Sequence, residues 1–232
     1  MKKMIIINIL VLAYVLFTLH VDKAVLPQKT IVLVDKQADA KAIAKHVVSY
    51  NIIKEGNKRF ATGFYVNYNG GTYILTNKHV CDLNKTTYGH DYIQFEDYVG
   101  RVIAIDTKHD LCLVTSNRTE GLEMAYSAPN PLDELVLIGF PRGLGKTIRR
   151  GHHVDTTELY ANWIGEGLFP ADNVSVTAYG GNSGSPVCNT SGRVTGVLFA
   201  GSPSFHTEAL VIPLNHIKEF LDKHTDVMYF MR

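Results

Sequence analysis

From Ile52 onward the chain consists of short apolar runs broken by turn residues, and this restricts its fold more than any other feature. The first series runs to about Thr119. Asn67-Tyr68-Asn69-Gly70-Gly71 is a hairpin signal within it, and Tyr92–Phe95, Val99–Ile105 and Leu111–Val114 read as strands. The same grammar repeats from Leu132 to Ile212, with strands expected at Val136–Gly139, Val174–Ala178, Val187–Cys188 and Val194–Phe199. Many short strands at regular spacing imply an all-β sandwich or barrel. A chain of 232 residues can hold two small barrels sharing a cleft, joined near Ser127-Ala128-Pro129-Asn130-Pro131. Helical spacing is expected at Asp35–Ser49, which lacks proline and glycine, and at Ile217–His224.

One turn carries chemistry. Gly180-Gly181-Asn182-Ser183-Gly184-Ser185-Pro186-Val187 sets a serine between glycines just ahead of an apolar strand. Glycine permits backbone conformations that turn two N–H groups toward one point, here those of Gly181 and Ser183. Such a turn also occurs with no catalytic role, so its partners decide. Tyr73-Ile74-Leu75-Thr76-Asn77-Lys78-His79-Val80 is a strand running into a histidine, and His109-Asp110-Leu111-Cys112-Leu113-Val114 sets an aspartate ahead of another strand. A serine nucleophile needs a base, and the base needs a carboxylate to hold its tautomer. The chain supplies His79, Asp110 and Ser183 in the order His, Asp, Ser, which is that of chymotrypsin-type enzymes. Asp106 is the weaker candidate for the carboxylate, because no long apolar run follows it directly.

With those motifs in place, the sequence resembles the trypsin-like serine peptidases of the chymotrypsin fold. It is nearest the high-temperature-requirement proteases and the glutamyl endopeptidases, over roughly residues 45–222. Further matches are Phe60-Ala61-Thr62-Gly63-Phe64-Tyr65-Val66, Leu137-Ile138-Gly139-Phe140-Pro141, Gly192-Arg193-Val194-Thr195-Gly196-Val197 and Leu210-Val211-Ile212-Pro213-Leu214. The resemblance implies an all-β fold of two six-stranded antiparallel barrels with the site in the cleft between them. It also implies His79 as base, Asp110 as orienter, Ser183 as nucleophile, and a substrate pocket lined by Thr177, Ala178, Leu198, Phe199, Ala200 and Gly201. Leu198 stands where the glutamyl endopeptidases place a histidine, and neither Thr177 nor Ala178 is an acid, so the expected pocket is apolar. Phe199–Gly201 would pair with extended substrate backbone. Expected partners are therefore protein or peptide substrates. The peptide-binding C-terminal domain of the high-temperature-requirement proteases is not expected in this chain. A protease-fold module that holds peptides without cutting them is the alternative.

Formal charge is +1, which does not suit a general nucleic-acid binder, and Lys146, Arg149 and Arg150 read as a solvated loop. His152 and His153 lack a zinc-like spacing to cysteine or carboxylate and also read as loop, so neither metal nor organic cofactor is expected. Cys81, Cys112 and Cys188 read as buried thiols; a Cys81–Cys112 bridge requires Cα atoms within about 7 Å. At the start, Lys2 and Lys3 precede an uncharged run from Met4 to Val21, without a small-residue cleavage site after it. This predicts a signal-anchor that places the catalytic domain on the exported side of a membrane, or a secreted protein if the segment is cut. The expected organisation is a membrane segment at 1–21, a tether and helix at 22–50, barrels at 51–126 and 127–224, and a tail at 225–232. Oligomeric state is not readable.

Overall fold

The computed structural model describes residues 40–96, 98–160, 168–201 and 207–225. The membrane segment and tether expected at 1–34 lie outside the described residues. Among the described residues no helix is long and apolar enough to cross a membrane.

A short helix, α1 (Ala40–Ala44), leads into β1 (Val47–Lys54), β2 (Asn57–Tyr68) and β3 (Gly71–Asn77). Helix α2 (Lys78–Tyr88) follows, then β4 (Tyr92–Phe95), β5 (Tyr98–Asp106) and β6 (Leu111–Thr115). These six strands close an antiparallel barrel in the order β1-β2-β3-β6-β5-β4. The second half has β7 (Glu134–Gly139), a 3-10 turn (Pro141–Gly143), β8 (Thr147–Tyr160), β9 (Leu168–Val174), β10 (Pro186–Asn189), β11 (Val194–Gly201) and β12 (Ala209–Pro213). It closes as β10-β11-β12-β9-β8-β7, and helix α3 (Leu214–Thr225) follows. The all-β, double-barrel expectation holds.

Strand alternation explains why the apolar runs are so continuous. Tyr65, Ile74, Ile93 and Phe95 fill the first barrel, while Leu135, Leu137, Val187, Leu198 and Val211 fill the second. The alternate residues Phe64, Val66, Leu75, Leu113, Ile138, Val197 and Ile212 join one larger core that also takes Ile217, Phe220 and Leu221 of α3. Both faces of these strands are covered, so the polar half of the usual alternation is missing.

Four local expectations are corrected. The helix expected over Asp35–Ser49 is described only at Ala40–Ala44, because β-branched Val47 and Val48 enter β1 and are almost wholly buried there. Val176–Ala178 is not strand, since β9 ends at Val174. The stretch Lys146–His153 is mostly strand: β8 begins at Thr147 and pairs with β7 in register Leu137↔Arg149 and Glu134↔His152. Cys81 and Cys112 form a disulfide with Cα atoms 6.6 Å apart, joining α2 to β6 and leaving Cys188 as the free, buried thiol.

Candidate active site

The site begins where β3 ends. Asn77 is placed to cap α2, yet its side chain does not bond the helix. Its Nδ2 instead donates to the carbonyl of Asp110 at 3.1 Å, and Lys78 N–H donates to the same oxygen at 3.0 Å. The Asp110 carboxylate supplies the missing cap from the turn that precedes β6. Oδ1 accepts the backbone N–H of His79 at 2.9 Å, and Oδ2 lies 2.8 Å from His79 Nδ1. A carboxylate at a helix N-terminus is favoured by the aligned peptide dipoles. Asp110 takes this position in the left-handed region, φ 54°, which aspartate tolerates better than most residues. Its side chain is 3% exposed and that of His79 is 43% exposed, so a buried carboxylate holds a half-exposed imidazole.

Asp106 has a different task. Its Oδ2 lies 2.7 Å from His109 Nδ1, and its Oδ1 accepts N–H groups from Lys108 and His109. Burial opposes ionisation of Asp106, but these bonds outweigh it and hold the carboxyl below its ordinary range. His109 is buried and stacked on His216 of α3, ring centroids 4.2 Å apart. Residues His109 and Asp110 lie in a turn, not in β6 itself.

Half-buried Ser183 is fixed against the first barrel by β2. Thr62 N–H donates to Ser183 O at 2.8 Å, and Thr62 Oγ1 donates to Gly181 O at 2.8 Å while accepting Phe140 N–H at 3.2 Å. Thr76, three residues before His79, donates its hydroxyl to Thr62 O at 2.7 Å. Two threonines thus carry the serine turn to the strand that ends at the histidine. Neither was singled out from sequence as a site residue, although Thr62 lies in the Phe60–Val66 match and Thr76 in the Tyr73–Val80 stretch.

Within the turn, Asn182, Gly184 and Ser185 donate their N–H groups to Tyr179 O, Leu198 O and Asn182 O. Gly181 and Ser183 have no backbone acceptor among the described residues. Gly180 O is turned away, accepting Arg142 N–H at 2.6 Å. Gly181 has φ 100°, and a side chain there would meet Phe140 O and Arg142 N, so glycine is required. The two free N–H groups are the pair an oxyanion would need.

The expected pocket residues divide. Leu198 is buried in the second-barrel core with Ala178 packed against it, and Gly201 lies beside the Ala178 carbonyl. Thr177 and Ala200 are half-buried. The Phe199 ring points the other way, edge to face with Phe169 at 5.0 Å. Among the described residues no group of three histidine, cysteine or acidic side chains could hold a metal ion.

A trypsin-like peptidase domain model matches residues 61–197, which include His79, Asp110 and Ser183. No curated protein sequence matches the chain. Among solved structures, the active form of the Rv3671c protease from M. tuberculosis is similar, with TM-score 0.65 and 17% identity over 79% of this chain and 82% of that one. The serine endoprotease from Yersinia pestis gives TM-score 0.59 and 21% identity over 78% and 62% of the two chains. A variant of the HtrA-type protease AlgW with a tripeptide gives 0.60 and 19% over 77% and 60%. These likenesses are in fold, and the family match covers more than half of the sequence. The chain belongs to the trypsin-like peptidase domain family.

Proposed function

We propose that this trypsin-like peptidase is a serine endopeptidase working through Ser183, His79 and Asp110. His79 takes the Ser183 hydroxyl proton as Oγ attacks the scissile carbonyl. The N–H groups of Gly181 and Ser183 hold the oxyanion, and His79 returns the proton to the leaving amine. Water, deprotonated by His79, then releases the acyl group and restores the serine. The observation that carries this reading is the double hold of Asp110 on His79, at its backbone N–H and at Nδ1. It fixes the imidazole with Nε2 turned outward to act as base.

The primary pocket in this reading accepts small or medium aliphatic side chains, because Ala178 is apolar, no charge is supplied by Thr177, and Leu198, turned into the core, offers no partner to a substrate acid. Residues 1–21 are proposed as a signal-anchor, with residues 51–126 and 127–224 as the exported catalytic halves. The Cys81–Cys112 bridge supports an oxidising compartment.

Fluorophosphonate labelling of the full chain tests the nucleophile. Label should be lost in Ser183→Ala and retained in Ser185→Ala, whose hydroxyl is wholly buried. Labelling that survives Ser183→Ala would overturn the assignment.

A further inference from the structure

The nucleophile turn sits between two strands. On one side Gly184 N–H donates to Leu198 O of β11 at 2.8 Å; on the other, Thr62 N–H of β2 donates to Ser183 O at 2.8 Å. Of the residues proposed for the primary pocket, Ala178 packs on the core that holds Leu198 of β11, and Gly201 of β11 lies beside the Ala178 carbonyl. In this reading, a peptide whose acyl half lies on the β11 side sends its leaving half toward β2 and Phe60, on the other side of the turn. The 3-10 turn is seated at that point: a side chain on Gly143 would run into the Phe60 ring, and Arg142 N–H holds Gly180 O. Phe60 also lines a cleft of about 440 Å³ with Ile52, Ile53 and Tyr88, which gives the leaving half room to continue.

Two guanidinium groups meet one ring beside this path. Arg142 stands 4.5 Å and Arg149 5.5 Å from the ring centroid of Tyr179, the residue before Gly180-Gly181. Neither has a carboxylate partner among the described residues, whereas Arg150, next on β8, is bound to Glu134 at 2.6 Å. The Nε of Arg149 is buried without an acceptor. A buried guanidinium donor is costly unless an anion takes it, and two cations held on one ring repel each other until one does. The planar fork of arginine matches a carboxylate, and the Tyr179 ring limits how far either fork can stray.

We propose that Arg142 and Arg149, held on Tyr179, form a carboxylate subsite for the leaving half of the substrate. The enzyme then prefers Asp or Glu at the first or second residue after the cut bond. This rests on Ser183 being the nucleophile.

The test uses peptides that differ only by Glu or Gln, placed at the residue before the cut, the first after it, or the second after it. The full chain should show a roughly tenfold higher kcat/KM for Glu at one of the two later positions. That preference should shrink between about 50 mM and about 500 mM salt. In the Arg142→Gln/Arg149→Gln double variant the Glu-to-Gln ratio should fall to about one. Full-length Ser183→Ala should bind the intact Glu peptide more tightly than the Gln peptide by fluorescence anisotropy. Equal rates and equal binding at both later positions would overturn the subsite, as would a preference confined to the residue before the cut or one that persists in the double variant. If no peptide is cut and the fluorophosphonate does not label, the nucleophile assignment fails instead, and the anisotropy comparison still decides the subsite.

Discussion

Asp110 caps the helix that carries His79, and the same carboxylate orients the imidazole: one oxygen takes the His79 N–H at 2.9 Å and the other faces Nδ1 at 2.8 Å. Helix start and imidazole orientation are thus set by one side chain. Asp110→Asn keeps an acceptor for the backbone N–H and tolerates φ 54°, but its amide would face Nδ1 with a donor. We expect kcat/KM to fall by about 10³- to 10⁴-fold, with the unfolding midpoint nearly unchanged. A loss below tenfold on a cleavable peptide would show that Asp110 does not orient the base.

Gly181 is the second sensitive position. A methyl group there meets Phe140 O and Arg142 N at a φ of 100°, so Gly181→Ala must shift the peptide whose N–H is proposed to hold the oxyanion. We expect kcat to fall by about 10²- to 10³-fold. Gly145→Ala, where an added Cβ meets nothing within 4 Å, is the control and should match wild type. Equal fluorophosphonate labelling rates for the two variants would refute this.

The two barrels were legible because their runs are local and repeated, and the Gly180–Ser185 turn because its glycines answer a local backbone demand. Much of the site's support was not. Helix α2 is mostly polar, with Val80, Cys81 and Asn84 its only buried residues, and its start is fixed by Asp110 from the turn before β6. Strand β8 was hidden by its charges: in a strand Arg149 and Arg150 face opposite ways, one to Tyr179 and the other to Glu134. The apolar run that follows Asp110 favours it over Asp106, but that Asp106 instead holds His109 is not recorded by sequence adjacency. The disulfide likewise depended on how closely α2 returns to β6.

We expect His216 to make stability pH-dependent. Burial, then the neighbouring His109 and Lys108, push its pKa below the ordinary 6.5, while Glu219 and Asp106 oppose the shift. The unfolded chain therefore takes up a proton first as pH falls, and the folded state loses stability below about pH 6.5. His46 and His224 are shifted in the same direction, chiefly by burial. We expect His216→Gln to lose less stability than wild type between about pH 7.5 and pH 5.5, measured by urea unfolding. Parallel pH profiles for the two proteins would count against the assignment.

Cys188 should be inert in the native protein. It is fully buried, and burial pushes its thiol up to about 12. Iodoacetamide at about pH 8 should leave the folded chain unmodified, and one thiol should react after denaturation without reductant. Modification of the native chain would show that the core around Cys188 opens readily.

The Cys81–Cys112 bridge spans 31 residues and ties α2, just past His79, to β6, just past Asp110. Cross-linking a loop of that size restricts the unfolded chain by about 3 to 4 kcal/mol. The Cys81→Ala/Cys112→Ala double variant should therefore unfold roughly 10 °C lower. The Asp110–His79 contacts do not pass through sulfur, so the active site should survive at temperatures where the variant stays folded. Calorimetry with and without reductant separates these effects. Wild type in reductant should approach the double variant, and the variant itself should not respond. A wild-type midpoint indifferent to full reduction would mean that the strands alone hold His79 and Asp110 together.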